Sequence, residues 1–393
     1  YRDELELLYD ALTIERDRRL AAQKLFEMNH TFVLRGWIPA EAAEIFDENL
    51  SRISSDYYVE FEDPAPDEEF PVALRNSALV EPFEAVTNLY SMPNSREIDP
   101  NKYMAPFYAM FFGIMLGDAA YGLILALVAY LATRKMKLRG ESGKLVRLMV
   151  LCGISTIIWG ALLGGWFGDL GTQLGIPTIL FNPMEEPINM LILCFSLGAI
   201  HIFVAMGVKA YIDIRQGRIL DAVFDQGLWF VFYIGLILLG VGAVAGYGWL
   251  LQIGKIMAIV GAVGLVLTQG RAKRNIIAKF FSGVLSLYNV TGFFSDVLSY
   301  SRLFALGLTT GVIGMVINML GAMLGNSWIS WIFTAIIFAF GHLFNIAINV
   351  LGSFVHSSRL QYVEFYGKFY EGGGKAFKPL TFITKYNDIK RGE

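Results

Sequence analysis

The chain has 393 residues, 55% of them hydrophobic and only 17% charged, with 40 glycines, a mean hydropathy of +0.49 and a formal charge of -3. These values exclude a disordered chain, a disulfide-built secreted module and an ordinary soluble enzyme, none of which carries repeated uncharged apolar runs of about 18 residues or more. The charge is unevenly placed: residues 1–100 hold 22 acidic and 9 basic side chains, a balance of -13, and the other 293 residues carry +10. This shift at Pro100 predicts an acidic water-soluble part over 1–100, a membrane part over 101–370 and a tail over 371–393.

The chain opens at Tyr1 in mid-helix pattern, with Leu5, Leu8 and Leu12 on one stripe, so its start is expected to lie upstream. Charged helix formers with apolar positions at three- and four-residue spacing predict an exposed helix from Tyr1 to about Met28. Thr31 to Trp37 reads as a strand, Pro39 to Ile53 as a helix with proline in its first turn, and Tyr57 to Phe61 as a second strand. Together they predict a small β-α-β unit beside a long helix. Asp63 to Phe70, acidic and proline-rich, is a loop. Gly143-Lys144 lacks the upstream glycine and following Ser or Thr of a phosphate loop, and the sequence points to no catalytic group, metal, cofactor or nucleic acid.

Apolar runs follow at about 104–133, 146–168, 188–208, 223–245, 249–269, 282–325 and 328–365. Cys152 and Cys194 each lie inside a run and read as buried thiols. The first run is interrupted at Gly117-Asp118, which suits either one helix with a buried acid or a tight hairpin of two short passes. Basic residues orient the connections: Arg134, Lys135, Lys137, Arg139, Lys144 and Arg147 fill one, Lys209, Arg215 and Arg218 a second, and Arg271, Lys273, Arg274 and Lys279 a third. These three are expected on the cytoplasmic side, and the connections Asp169 to Pro187, Ala245 to Leu250 and Leu324 to Asn326, without Lys or Arg, on the outer side. A cytoplasmic soluble part then requires the first run to cross twice, giving eight passes. An external one requires seven.

Between Lys279 and Lys368 only Arg302, Arg359, Asp296 and Glu364 carry charge. An arginine within a membrane helix costs about 2.5–3.5 kcal/mol, so it normally faces protein or water and marks an ion path. The bland reading is an arginine snorkelling to a headgroup or satisfying a structural carboxylate. Helical spacing favours the ion path. His342, Asn345, Asn349, Ser353, His356 and Arg359 recur at three or four residues, and Tyr288, Gly292, Ser295, Ser299 and Arg302 do the same on the preceding segment. A continuous helix from Trp328 to Arg359 would run about 46 Å at 1.5 Å per residue. That exceeds a hydrocarbon core of roughly 30 Å, so it must tilt or emerge.

Ser299-Tyr300-Ser301-Arg302-Leu303-Phe304-Ala305-Leu306 and Val355-His356-Ser357-Ser358-Arg359-Leu360-Gln361-Tyr362-Val363-Glu364 closely resemble the two signature helices of the stator subunit of V-type and A-type rotary ATPases, called subunit I in prokaryotes and subunit a in eukaryotes. Phe112 to Gly122, Gly36-Trp37-Ile38-Pro39 and Tyr370-Glu371-Gly372-Gly373-Gly374 extend the likeness over nearly the whole chain. The resemblance implies a mainly α fold, an eight-pass helical membrane domain with two long tilted helices, preceded by a partial cytoplasmic α+β lobe and coiled-coil helix. It implies a multi-pass protein of a prokaryotic cell membrane with cytoplasmic N-terminal arm and C-terminus. The expected partners are a rotating proteolipid ring with buried carboxylates, peripheral stalk subunits on the arm, and the lipid bilayer.

In that reading Arg302 and Arg359 displace H⁺ or Na⁺ from arriving ring carboxylates while staying protonated, and they block a straight leak between an inner and an outer half-channel. Asp118 and Asp169 are candidates for the outer half-channel or, equally, for helix caps. Tyr288, Asp296, Ser299, His356, Gln361 and Glu364 are candidates to guide ions along the seam, and His342 and Asn345 to hydrogen-bond between helices. Asn349 stands ten positions before Arg359, where eukaryotic relatives carry an acid, which favours the prokaryotic branch. A stand-alone secondary transporter or channel explains the polar stripes equally well. It is disfavoured because the sequence holds too few membrane carboxylates to pair both arginines.

Overall fold

The computed structural model describes residues 1–28, 31–65, 68–136, 140–271, 275–325, 327–379, 381, 384, 386 and 387. Lys137, Arg139, Lys273 and Arg274 of the orienting connections, Pro66 and Asp67 of the acidic loop, Asn326, and 388–393 of the tail lie outside the described residues. The chain divides into two compact units, one of 1–74, 92–96 and 373–393, the other of 75–91 and 97–372.

In the first unit, helix α1 (Arg2–Ala22) has Asp3 and Glu4 in its first turn and Arg19 in its last, the order a helix dipole favours. Leu5, Leu8 and Leu12 are exposed along it, an open apolar seam. The helix stops short of Met28 because Phe26–Glu27 (β1) turns into an antiparallel hairpin with Phe32–Val33 (β2). Helix α2 (Ala43–Ile53) follows a single 3₁₀ turn at Ala40–Ala42, entered from extended Pro39. The strand expected at Tyr57 to Phe61 is not formed. Among the described residues no neighbouring strand offers that segment a hydrogen-bond ladder, and Tyr58 and Phe61 remain exposed. The expected β-α-β unit is therefore a two-stranded hairpin followed by a helix.

The second unit is a packed array of helices. Helix α3 (Glu84–Tyr90) leads into α4 (Asn101–Leu116), α5 (Ala119–Lys135) and α6 (Gly140–Leu163). Short α7 (Leu170–Gln173) precedes α8 (Pro187–Arg215). One turn of α9 (Ile219–Asp221) passes through a π-helical turn into α10 (Leu228–Ala245), which pairs with α11 (Gly248–Thr268). The chain continues as α12 (Ile276–Ser286), α13 (Asn289–Ser299), α14 (Ser301–Ala322) and α15 (Trp328–Arg359), closing with a π-helical turn at Leu360–Phe365.

The break at Gly117-Asp118 reverses the chain. Gly113 lies against Ser155 and Gly117 against Gly165, so α4 runs with α6, whereas Ala119 meets Gly160 and Ala126 meets Gly153, so α5 runs against it. The first apolar run is thus a helical hairpin. Gly117 closes α4 in the left-handed region (φ 56°), where a side chain would be strained. Among the described residues six helical segments are long and apolar enough to cross a membrane; α4 and α5, at 16 and 17 residues, are shorter. Cys152 and Cys194 are buried free thiols.

Helix α3 is fastened to α6 and to the end of α15. Lys144 Nζ lies 2.7 Å from Glu84 Oε2, and Arg147 Nη2 3.1 Å from Glu81 Oε1. The hydroxyls of Tyr362 and Tyr370 donate to the carbonyls of Val86 and Ser91, each at 2.6 Å, while Tyr366 bonds Thr87 at 2.7 Å. Burial raises the Tyr370 phenol well above its ordinary value, so it stays a donor.

The closest helix contact tests the hairpin. A methyl group on Gly160 would stand 2.2 Å from the Ala119 nitrogen, whereas one on Gly207 in α8 meets nothing within 4 Å. Gly160→Ala is expected to destabilise the unit by about 1–3 kcal/mol, as overpacking does, and Gly207→Ala to leave it unchanged or firmer. Thermal unfolding of both variants in detergent measures the difference.

Candidate functional site

Helices α14 and α15 run antiparallel. Gly321 lies against Thr334, Ile317 against Gly341, Thr310 bonds Asn345, and Leu306 meets Gly352. Equal steps along both helices bring Arg302 level with His356. The side chain of Arg302 is partly buried, and its Nη1 stands 3.5 Å from Glu364 Oε1 in the π-helical turn. The sequence does not name Glu364 as this partner; one arginine of the two finds a carboxylate among the described residues, in keeping with the expectation that the carboxylates are too few to pair both. The contact is long for a charged pair. The other oxygen of the buried Glu364 has no hydrogen-bond partner among the described residues.

The π turn turns Leu360, Gln361, Glu364 and Phe365 inward together, and such single-turn widenings recur at functional sites. Ser299 lies beside the Glu364 carboxylate, and Asp296 Oδ2 meets Lys368 Nζ at 2.5 Å. His356 is within electrostatic reach of both arginines. Tyr300, at the break between α13 and α14, is buried with its ring against Gly198, and its hydroxyl lies 2.7 Å from His201 Nδ1. His201 is stacked on Phe365 at 4.4 Å, and neither its Nε2 nor the Gln361 amide has a hydrogen-bond partner among the described residues. His201 and Tyr300 were not singled out from sequence. A lone histidine in an apolar run carries no periodic signal.

The polar stripe of α15 divides in two. His342, Asn345, Asn349 and Ser353 are buried, but Arg359 lies on the exposed side, at the end of an apolar row of Phe340, Phe344, Ile348, Leu351 and Val355. Arg359 makes no ion pair among the described residues.

Two further places hold the remaining candidates. Exposed Tyr288 lines a cavity of about 430 Å³ with Asp225, Trp229, Tyr233, Thr291 and Lys368. At the other end, Asp169 Oδ1 accepts from Asn318 at 2.7 Å and Oδ2 from Gln173 at 2.8 Å. Asp118 is a cap: Oδ1 accepts from the backbone of Ala120 and Tyr121 at 3.0 and 3.1 Å, and Oδ2 from Gly168 at 2.8 Å. Among the described residues no cluster of His, Cys, Asp and Glu suits a metal ion.

The family model of the V-type ATPase 116 kDa subunit family matches residues 19–154 and 288–382, which include both arginines. The chain is 36% identical to the A-type ATP synthase subunit I of Thermococcus kodakarensis, over 97% of this chain and 58% of the relative. It is 32% identical to that of Methanocaldococcus jannaschii, over 98% and 60%. It is 26% identical to the V-type ATP synthase subunit I of Borreliella burgdorferi, over 98% and 65%. The chain therefore spans about 60% of the length of the archaeal relatives.

The cap at Asp118 has a measurable consequence. In Asp118→Asn an amide N–H₂ group must face a backbone donor, so a loss of about 1–3 kcal/mol is expected from the unsatisfied buried bond. Asp169→Asn, whose partners are side chains able to turn, should lose at most half as much. Chemical denaturation of the two variants gives the comparison.

Proposed function

The chain belongs to the V-type ATPase 116 kDa subunit family, and from that premise we propose that it is the stator of a rotary ATPase membrane sector. It conducts H⁺ or Na⁺ past a rotating proteolipid ring, holds no nucleotide site of its own, and couples the ring to ATP synthesis or hydrolysis elsewhere in the complex. Arg359 carries this reading: a guanidinium at the end of an exposed apolar row, unpaired among the described residues. Lipid would leave such a charge poorly solvated. A neighbouring helix that is apolar along its length and bears one carboxylate matches both features of the row.

Arg302 supports Arg359 from the adjoining helix. Its 3.5 Å contact with Glu364 is loose enough to exchange for an arriving carboxylate, since a buried ion pair balances attraction against desolvation. Guanidinium remains charged throughout, so it displaces an ion without giving up a proton. In this reading the cavity beside Tyr288 belongs to the inner half-channel and the Asp169 end of α14 to the outer one, with Ser299, Asp296, His356, Gln361 and Glu364 along the seam between them. The six long spans and the α4–α5 hairpin make eight crossings, with arm and C-terminus cytoplasmic, and the arm's open leucine seam meets stalk partners. A stand-alone transporter has no occupant for the Arg359 row.

With the intact complex in vesicles, Arg302→Gln should reduce ATP-driven ion pumping at least tenfold while proteolipid and stalk subunits still copurify. Arg302→Lys should restore only part of it, because a point charge does not replace the planar fork. Normal pumping by Arg302→Gln overturns the reading.

A further inference from the structure

Five side-chain hydrogen bonds run in series from the middle of α15 to the Asp169 carboxylate. Asn349 Nδ2 lies 2.5 Å from Asn345 Oδ1, Asn345 Nδ2 2.9 Å from the Tyr121 hydroxyl, and that hydroxyl 2.5 Å from His342 Nδ1. His342 Nε2 then lies 3.1 Å from Asn318 Oδ1, and Asn318 Nδ2 2.7 Å from Asp169 Oδ1. The residues come from α5, α14, α15 and the α6–α7 connection, so no one periodic pattern announces them.

Donor and acceptor accounting gives the series a single direction. Asn318 Nδ2 also faces the Phe167 carbonyl at 2.8 Å, so both its neighbours are acceptors and its Oδ1 must accept from His342. Nε2 therefore carries the proton, and Nδ1 offers its lone pair to the Tyr121 O–H. At the other end Asn345 Nδ2 also meets the Thr310 carbonyl at 3.2 Å, which fixes that amide as donor to the phenol oxygen. Every hydrogen points toward Asp169.

The middle of the series is closed. Tyr121, His342, Asn345 and Asn349 are buried, and the imidazole is walled by Phe167 at 5.1 Å and Phe338 at 4.2 Å between ring centres. Two carboxylates bear on the pair: Asp118, whose oxygens are taken up by backbone N–H groups, and Asp169 at the end of the series. A sodium ion needs several oxygens converging on one point. Here each polar atom already has a directed partner, and nitrogen occupies the centre. A proton needs only that bonds shift.

We propose that the Tyr121–His342 pair is the proton-passing element of the outer path, and that this path conducts protons and excludes sodium ions. The inference rests on the stator reading and names its ion. A proton taken up at Asn345 Oδ1 drives an Nδ2 proton onto the Tyr121 oxygen, and the phenol's own proton passes to Nδ1, leaving a neutral phenol and an imidazolium. The imidazolium gives its Nε2 proton to Asn318 Oδ1, Asn318 gives an Nδ2 proton to the Asp169 carboxylate, and Asp169, only half-buried, releases it to solvent. One proton enters and one leaves, and the return of the ring to its Nε2–H form completes the cycle. Asn345 and Asn318 each take a proton at oxygen and give one from nitrogen, and the imidic acids left behind revert to amides as the series resets.

The test uses the whole complex in vesicles, with ATP-driven acidification and ²²Na⁺ uptake followed in parallel. The wild type should acidify without accumulating ²²Na⁺. Tyr121→Phe and His342→Gln should each lower acidification at least tenfold with ring and stalk subunits still bound, and residual flux in His342→Gln should lose the pH dependence of the wild type. Tyr121→Phe removes a single oxygen and decides the matter if His342→Gln does not assemble. ATP-driven ²²Na⁺ uptake by the wild type, or full acidification by Tyr121→Phe, overturns the proposal. If Arg302→Gln abolishes transport while Tyr121→Phe does not, only this inference falls; if Arg302→Gln pumps normally, the stator reading itself has failed.

Discussion

A guanidinium within a membrane helix costs about 2.5–3.5 kcal/mol to insert, and the helices around Arg302 are arranged to offset that cost without abolishing the charge. The chain breaks at Tyr300, so Arg302 opens a new helix rather than sitting in the middle of one. The π turn after Arg359 brings Glu364 within 3.5 Å of it. A tighter pair would be more stable in the resting state and slower to exchange. The observed length leaves the arginine held but available, and among the described residues the second oxygen of Glu364 has no partner, so the carboxylate is not saturated there either.

Such an arrangement requires helices that do not yield, and the rigidity comes from small residues rather than large ones. Gly113, Gly122, Gly153 and Gly160 let α4, α5 and α6 approach until backbone touches backbone, the packing available where lipid gives no hydrophobic drive for association. Gly198 does the same for the Tyr300 ring, fixing the residue from which Arg302 hangs. At the other end, Tyr362, Tyr366 and Tyr370 tie the end of α15 and the residues after it to α3 by three hydroxyl bonds. The π turn is thereby clamped on both sides.

Much of this was legible in the sequence, for identifiable reasons. Hydropathy located the long helices because a bilayer demands some twenty apolar residues of about 1.5 Å rise each. Charge cost together with helical spacing singled out Arg302 and Arg359. The Gly117-Asp118 interruption was readable as a hairpin because glycine and a capping carboxylate are the residues a reversal needs. What failed has one cause, dependence on partners remote in sequence. Tyr57 to Phe61 has strand composition but no strand to pair with. Glu364 reaches Arg302 only because a π turn shifts the register by one residue. His201 becomes polar machinery only when Tyr300 is brought to it from 99 positions away. The stripe of α15 was read as one face, yet it curves, so Arg359 emerges on the apolar side while Asn349 stays inside.

In the proposed stator that curvature decides how two ion paths can share one arginine pair. A straight polar stripe from His342 to Arg359 would make a single aqueous line through the unit and, with it, a leak. On α15 the buried polar face and the exposed face bearing Arg359 are different faces, so nothing passes from one to the other along the helix surface alone. Lys368, which lines the Tyr288 cavity, follows the end of α15, whereas the Asp169 series meets α15 at its middle, with 25 residues between His342 and Lys368. In the proposed stator a moving carboxylate must supply the missing lateral step, collecting the ion beside one path and surrendering it beside the other. Leak and coupling are then controlled by the same geometry. A change that straightened the polar face would open a conductance through the stator before it cost any stability.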